Sequence, residues 1–315
     1  MLADADGSVY GCAQHAYSDD FFYTRHSSGN RELVRLCLST LETETVLKRP
    51  ADHPGYREFG AMSPDSRFYV NLVQRGETWE VMVADLQTGR ESAVASAPDL
   101  FNPHPRFDRV QGEWLLIQHN RGQRWSGEGE IEVLDDRLGA TVFLVRRDGT
   151  GRRDLPISRP FIASSISGHE AWIKGQMAFL VSLRFTDEPY HDGARTGNLV
   201  MCRIGEDRPR VATHAPDKYF GHVSTSACGR YWVCDMWGRE AGAWRKTPDI
   251  VVGSLASGNH AVLCSVGGNW PKYEAGHAHP YMTADAQRVI FGSTRTGTAQ
   301  VYAAAIPPGF LEALK

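Results

Sequence analysis

The segment Glu274-Ala-Gly-His277-Ala-His279-Pro280 sets two imidazoles one residue apart, with a carboxylate three residues ahead of the first. On an extended backbone, alternate side chains fall on the same side, so His277 and His279 project together. Imidazole nitrogen binds borderline divalent metals, and an added carboxylate oxygen favours Mn²⁺-like ions over a structural Zn²⁺. A His-x-His pair alone is commonly structural. It gains weight only if other histidines are brought to the same place, and that depends on the elements that carry them.

Those elements repeat. The pattern is clearest in Ser63-Pro-Asp-Ser-Arg-Phe-Tyr-Val-Asn, then Thr78-Trp-Glu-Val-Met-Val-Ala-Asp85, then Leu86-Gln-Thr-Gly-Arg90. Turn residues alternate there with short strands rich in Val, Phe, Tyr and Trp. An earlier unit holds Phe21-Phe-Tyr-Thr-Arg-His and Glu32-Leu-Val-Arg-Leu-Cys-Leu. Later ones begin at Pro103-His104, Gly168-His169 and Gly221-His222, and the last contains Arg288-Val-Ile-Phe-Gly-Ser. Units of roughly 40 to 55 residues with three or four strands each predict the blades of an all-β β-propeller. Six units are countable and seven blades are expected, with residues 1–315 forming a single propeller domain. A stacked sandwich is the competing architecture, but it does not account for a turn recurring in phase.

Four histidines share one phase of this repeat. His222 lies four residues before Ser226 and His279 four before Thr283, and both reference residues match Ser63 of the second unit. His104 stands the same distance before Asp108, and His169 before Ile173. Random placement of 12 histidines along 315 residues gives well under one such coincidence. In a propeller, residues at one phase converge around the central axis. The expectation is therefore a metal and acid/base site at the mouth of the channel, against the plainer reading of a polar residue favoured at the channel wall.

Other chemistries are poorly supported. Cys12, Cys37, Cys202, Cys228, Cys234 and Cys264 form no CxxC pair and read as buried thiols. Glu128, Glu130 and Glu132 read as a solvated loop rather than a pair of acids facing one glycosidic bond. There is no nucleophile elbow, phosphate-binding loop or dinucleotide fingerprint. With 34 basic and 37 acidic residues the net charge is −3, and no basic cluster is interleaved with aromatics, so neither nucleic acid nor a membrane surface is an expected partner. The apolar runs are too short to span a bilayer, and the N-terminus lacks a signal-peptide pattern. A cytoplasmic location is expected, or a periplasmic one for a mature form.

Three motifs carry a resemblance to a known family. Gly168-His169-Glu170-Ala171-Trp172, Gly221-His222-Val223-Ser224 and Glu274-Ala-Gly-His277-Ala-His279-Pro280 match, in order and approximate spacing, motifs of the oligogalacturonate lyases, which are seven-bladed β-propellers. The resemblance covers residues 60–306. It implies that His222, His277 and His279 are ligands of a Mn²⁺ ion, with Glu274 standing where the family has a glutamine. It further implies that His169 is the base. The family's arginine falls near Thr141 in this chain, and Arg121 or Arg124 is the alternative source of that charge. The implied reaction is metal-assisted β-elimination on a uronic-acid oligosaccharide, with Trp125, Trp172 and Trp237 available to stack on sugar rings. The alternatives are a lyase for a different uronate polymer and a non-catalytic TolB-like binding propeller.

Overall fold

The computed structural model describes residues 9–13, 18–53, 60–126, 130–159, 166–183, 199–206, 208–215, 218–240, 243–244, 247–268 and 277–315. These residues fall into two compact units, Met1–Leu155 and Pro156–Lys315. Among the described residues each unit contains three larger antiparallel sheets whose strands follow one another in chain order, and the first unit adds a two-stranded ribbon.

In the first unit the sheets run through Val9–Ala13, Asp20–Ser27, Asn30–Cys37 and Thr43–Pro50, then Ala61–Met62, Phe68–Arg75, Thr78–Asp85 and Arg90–Ala97. The third is Arg106–Phe107, Trp114–His119, Thr141–Arg146 and Arg153–Asp154, with a ribbon of Gln123–Trp125 and Ile131–Val133 inserted after its second strand. In the second unit the fourth sheet is Ile166–Trp172, Ala178–Leu183, Leu199–Arg203 and Arg210–Thr213. The fifth is Lys218–Thr225, Tyr231–Glu240, Asp249–Ser254 and His260–Ser265, and the sixth Tyr281–Met282, Arg288–Ser293 and Gln300–Ala305. One 3₁₀ turn, Glu312–Leu314, closes the described chain. This is the β-propeller fold class. Its six sheets are the six repeat units of the sequence, and a seventh blade is not among the described residues.

Apolar faces of successive sheets hold each unit together. Leu72, Val81, Val83 and Phe101 of the second unit of repeat meet Phe107, Leu115, Ile117 and Phe143 of the third. In the same way Leu180 and Leu199 meet Phe220, Trp232 and Val251 between the fourth and fifth sheets. Ala178–Leu183 and Asp249–Ser254 are buried at every position, because a middle strand of a blade is covered on both faces. The outer strands Thr43–Pro50 and Gln300–Ala305 are largely exposed.

In five of the six repeat units the turn is closed by the same kind of backbone bond. The N–H groups of Ser63, Asp108, Ile173, Ser226 and Thr283 donate to the carbonyls of Phe68, Trp114, Ala178, Tyr231 and Arg288, at 2.8 to 2.9 Å. Side chains reinforce it. Oγ of Ser63 accepts the Phe68 N–H at 2.8 Å, Oγ of Ser226 that of Tyr231 at 3.1 Å, and Oγ1 of Thr283 that of Arg288 at 3.1 Å. Asp108 closes a turn one residue longer, and its fully buried carboxylate accepts five backbone N–H groups, from Val110 to Trp114. These short polar side chains are turn formers because they can bond backbone groups a few residues on.

Candidate metal centre

Residues four positions before these turns share one phase of the repeat, but their local backbone differs. The carbonyls just ahead of His104 and His279 both accept from the second strand, Pro103 from Gln118 at 2.7 Å and Ala278 from Gly292 at 2.8 Å. Both histidines have positive φ, 43° and 40°. His169 and His222 instead lie within register breaks of their first strands, between Ile166 and Glu170 and between Phe220 and Val223. A bulge of this kind redirects a side chain out of the regular alternation.

Three successive blades of the second unit thereby bring four imidazoles together. The ring of His222 lies 4.0 Å from that of His169, 3.9 Å from that of His279 and 4.7 Å from that of His277, centroid to centroid. His277 and His279 are stacked at 5.8 Å. One nitrogen from each of His222, His277 and His279 lies within 4.8 Å of the other two, a set that can hold a metal ion. Nε2 of His222 and Nδ1 of His277 are 3.0 Å apart. Two nitrogens bound about 2.1 Å from one ion at a right angle are separated by about the same distance. No thiol belongs to the cluster, so the donor set fits a borderline divalent ion held by imidazole. His222 is buried, whereas His277 and His279 are exposed and leave the cluster open on one side. Burial, followed by the charge of neighbouring His222, lowers the His277 pKa below the ordinary histidine value.

Glu274 lies outside the described residues. Arg121 and Arg124 belong to the first unit, as does His104. The half-buried Arg121 donates through Nε to the carbonyl of Gly139 at 3.2 Å, and burial lowers its pKa. Arg124 is exposed and paired twice with Glu132, at 2.6 and 3.1 Å. Thr141, near which the resemblance sets the family's arginine, is buried and donates to the carbonyl of Leu155. Of the three tryptophans, Trp172 is core and Trp125 packs beside Phe101. Trp237 is half-buried against Tyr219 in the blade that carries His222. The thiols also divide: Cys202 and Cys234 are buried, Cys37 and Cys264 half-buried and Cys228 exposed. The expectation of buried thiols therefore holds for two of the five whose side chains are described.

Two further residues shape the cluster. Asp235, fully buried, accepts from the backbone N–H of His222 at 2.6 Å and faces its Nδ1 at 2.7 Å. Gly221 makes room for it, since a methyl group there would lie 2.6 Å from both Asp235 Oδ1 and Trp237 Cζ3. Asp235 was not among the site residues expected from the sequence; its carboxylate within the otherwise apolar run Tyr231-Trp-Val-Cys-Asp235-Met-Trp marks a buried polar group but does not name its partner.

No protein-family profile matches the chain. An oligogalacturonide lyase of Pectobacterium atrosepticum is 23% identical over 98% of this chain and 80% of its own length. Among solved structures, an oligogalacturonate lyase in complex with manganese aligns with a TM-score of 0.73 and 20% identity, over 98% of this chain and 80% of its own. The β-propeller domain of the Trilobed protease from Pyrococcus furiosus aligns with a TM-score of 0.56 and 12% identity, over 94% and 80%.

Proposed function

Because the chain is similar to oligogalacturonate lyases in sequence and in fold along 98% of its length, we propose that it is a lyase cleaving uronate oligosaccharides of the oligogalacturonate kind by β-elimination. The observation that carries this reading is the convergence of His169, His222, His277 and His279 from three blades.

In this reading His222, His277 and His279 hold the ion, and Glu274 supplies an oxygen donor. A divalent cation such as Mn²⁺ held there would supply positive charge to stabilise the negative charge that develops on the substrate carboxylate. His169, half-buried beside the cluster, accepts the C5 proton on a ring nitrogen. The electron pair of the broken C5–H bond becomes the C4–C5 double bond. The C4–O bond breaks with its pair, the departing sugar oxygen takes up a proton from solvent, and His169 returns its own to solvent, so the products are a 4,5-unsaturated uronate and a shortened chain. No step is assigned to Arg121 or Arg124.

The test is ultraviolet absorbance of the unsaturated uronate, with oligogalacturonate and Mn²⁺, for the wild type and His169→Ala. A metal-dependent rise that the substitution abolishes is expected. No rise with oligogalacturonate or other uronates, from folded and metal-loaded protein, would leave a metal-bearing binding propeller in place of a lyase.

A further inference from the structure

We infer that Asp235 is the positioning residue of the metal centre, fixing His222 in the tautomer whose Nε2 lone pair faces the other histidines. The inference rests on the metal-holding role proposed above for His222.

A carboxylate can only accept hydrogen bonds, so the 2.7 Å contact between Oδ2 of Asp235 and Nδ1 of His222 places the hydrogen on Nδ1. Nε2 then carries the lone pair, and it is this atom that lies 3.0 Å from Nδ1 of His277. The second oxygen, Oδ1, holds the backbone N–H of the same residue at 2.6 Å. One buried side chain therefore fixes both the orientation of the ring and the backbone from which it projects. That backbone lies at the register break between Phe220 and Val223, where no regular ladder bond holds it. Gly221 is the condition for this clamp, because any side chain there would occupy the space of the carboxylate. A hydrogen bond from the far nitrogen of a ligating histidine to a carboxylate raises ligand basicity and fixes ring orientation.

Asp235→Asn separates this role from simple structural support. The amide has one acceptor oxygen, so it can serve only one of the two N–H groups. If the oxygen keeps the backbone N–H, the amide NH₂ faces Nδ1 and drives the hydrogen of His222 to Nε2. The expected result is a folded variant whose Co²⁺ or Mn²⁺ affinity by calorimetry falls by about 10- to 100-fold. Long-range ¹H–¹⁵N correlations on the metal-free wild type are expected to show His222 protonated at Nδ1, a readout that does not depend on the variant's folding. Wild-type His222 protonated at Nε2, or a folded Asp235→Asn protein that binds metal as tightly as the wild type, overturns the inference. If the wild type binds metal but is inactive on every uronate, the lyase reading fails, while an Nδ1-protonated His222 and a loss of affinity of about 10- to 100-fold in Asp235→Asn still support the role of Asp235. A wild type that binds neither ion overturns both.

Discussion

The rings of His169 and His222 lie 4.0 Å apart although they come from different blades, and the two residues differ in exposure. His222 is 7% exposed and bonded to Asp235, whereas His169 is half-buried and is not among the three residues whose nitrogens form the metal-binding set. The proposed base and the proposed ligand can therefore be separated by mutation. His169→Ala is expected to cut elimination by about 10²- to 10⁴-fold while Mn²⁺ affinity is kept. His222→Ala is expected to lose both. Parallel calorimetry and ultraviolet assays check this, and a His169→Ala protein that loses metal binding would reassign that residue to the ligand set.

Gly253 and Trp232 are cross-strand partners, and the indole lies over the glycine so closely that a methyl on Gly253 would stand 2.2 Å from Cε2 and Cζ2. Trp232 is fully buried between the fourth and fifth sheets and cannot retreat into solvent. Gly253→Ala is expected to destabilise the protein by about 1–3 kcal/mol, the usual range for overpacking a core. Urea unfolding measures it. An unchanged midpoint would mean the indole moves without cost.

The repeat was legible because its turn chemistry is local. Ser63, Asp108, Ser226 and Thr283 each bond backbone groups within six residues, so their spacing survives in the sequence whatever the rest of the blade does. Even Ile173, with no polar side chain, keeps the same backbone bond, and His169 keeps its phase. Asp235 was not legible as a partner of His222, because their contact spans 13 residues and passes through a register break that interrupts strand alternation. The three tryptophans could not be ranked for the same reason. Whether an aromatic residue in a strand is core or wall depends on the sheet that covers it, which placed Trp172 in the core and left Trp237 half-buried.

That difference predicts opposite phenotypes. Trp172 is 1% exposed and meets Phe179 edge-on at 5.2 Å, so Trp172→Ala is expected to cost about 3–5 kcal/mol of stability. Trp237 packs at a tilt against Tyr219, 5.6 Å between ring centroids, beside Gly221 and so next to His222. Trp237→Ala is expected to unfold near the wild-type midpoint but to raise KM for oligogalacturonate more than it lowers kcat. Denaturation curves and steady-state kinetics on the two variants decide it. Equal loss of stability in both would make Trp237 a core residue too.

His260 supplies a pH test that is independent of the metal centre. Its imidazole meets Phe220 edge-on at 5.7 Å and lies 6.0 Å from Trp232. Burial against these rings is the largest influence on its pKa and lowers it below 6.5; the charge of Lys218 acts the same way, and a hydrogen bond from the imidazole to the backbone of Gly258 opposes them. The folded protein thus prefers the neutral ring, and the unfolded chain takes up the proton first as pH falls. The stability contributed by a neutral His260 is complete above pH 6.5 and is lost as the pH drops from there towards the lowered folded value. His260→Gln removes the titration. Between about pH 7.5 and pH 5.5 the wild-type Tm is therefore expected to fall more steeply than that of the variant. Parallel Tm curves would show that His260 titrates alike in the folded and unfolded chain.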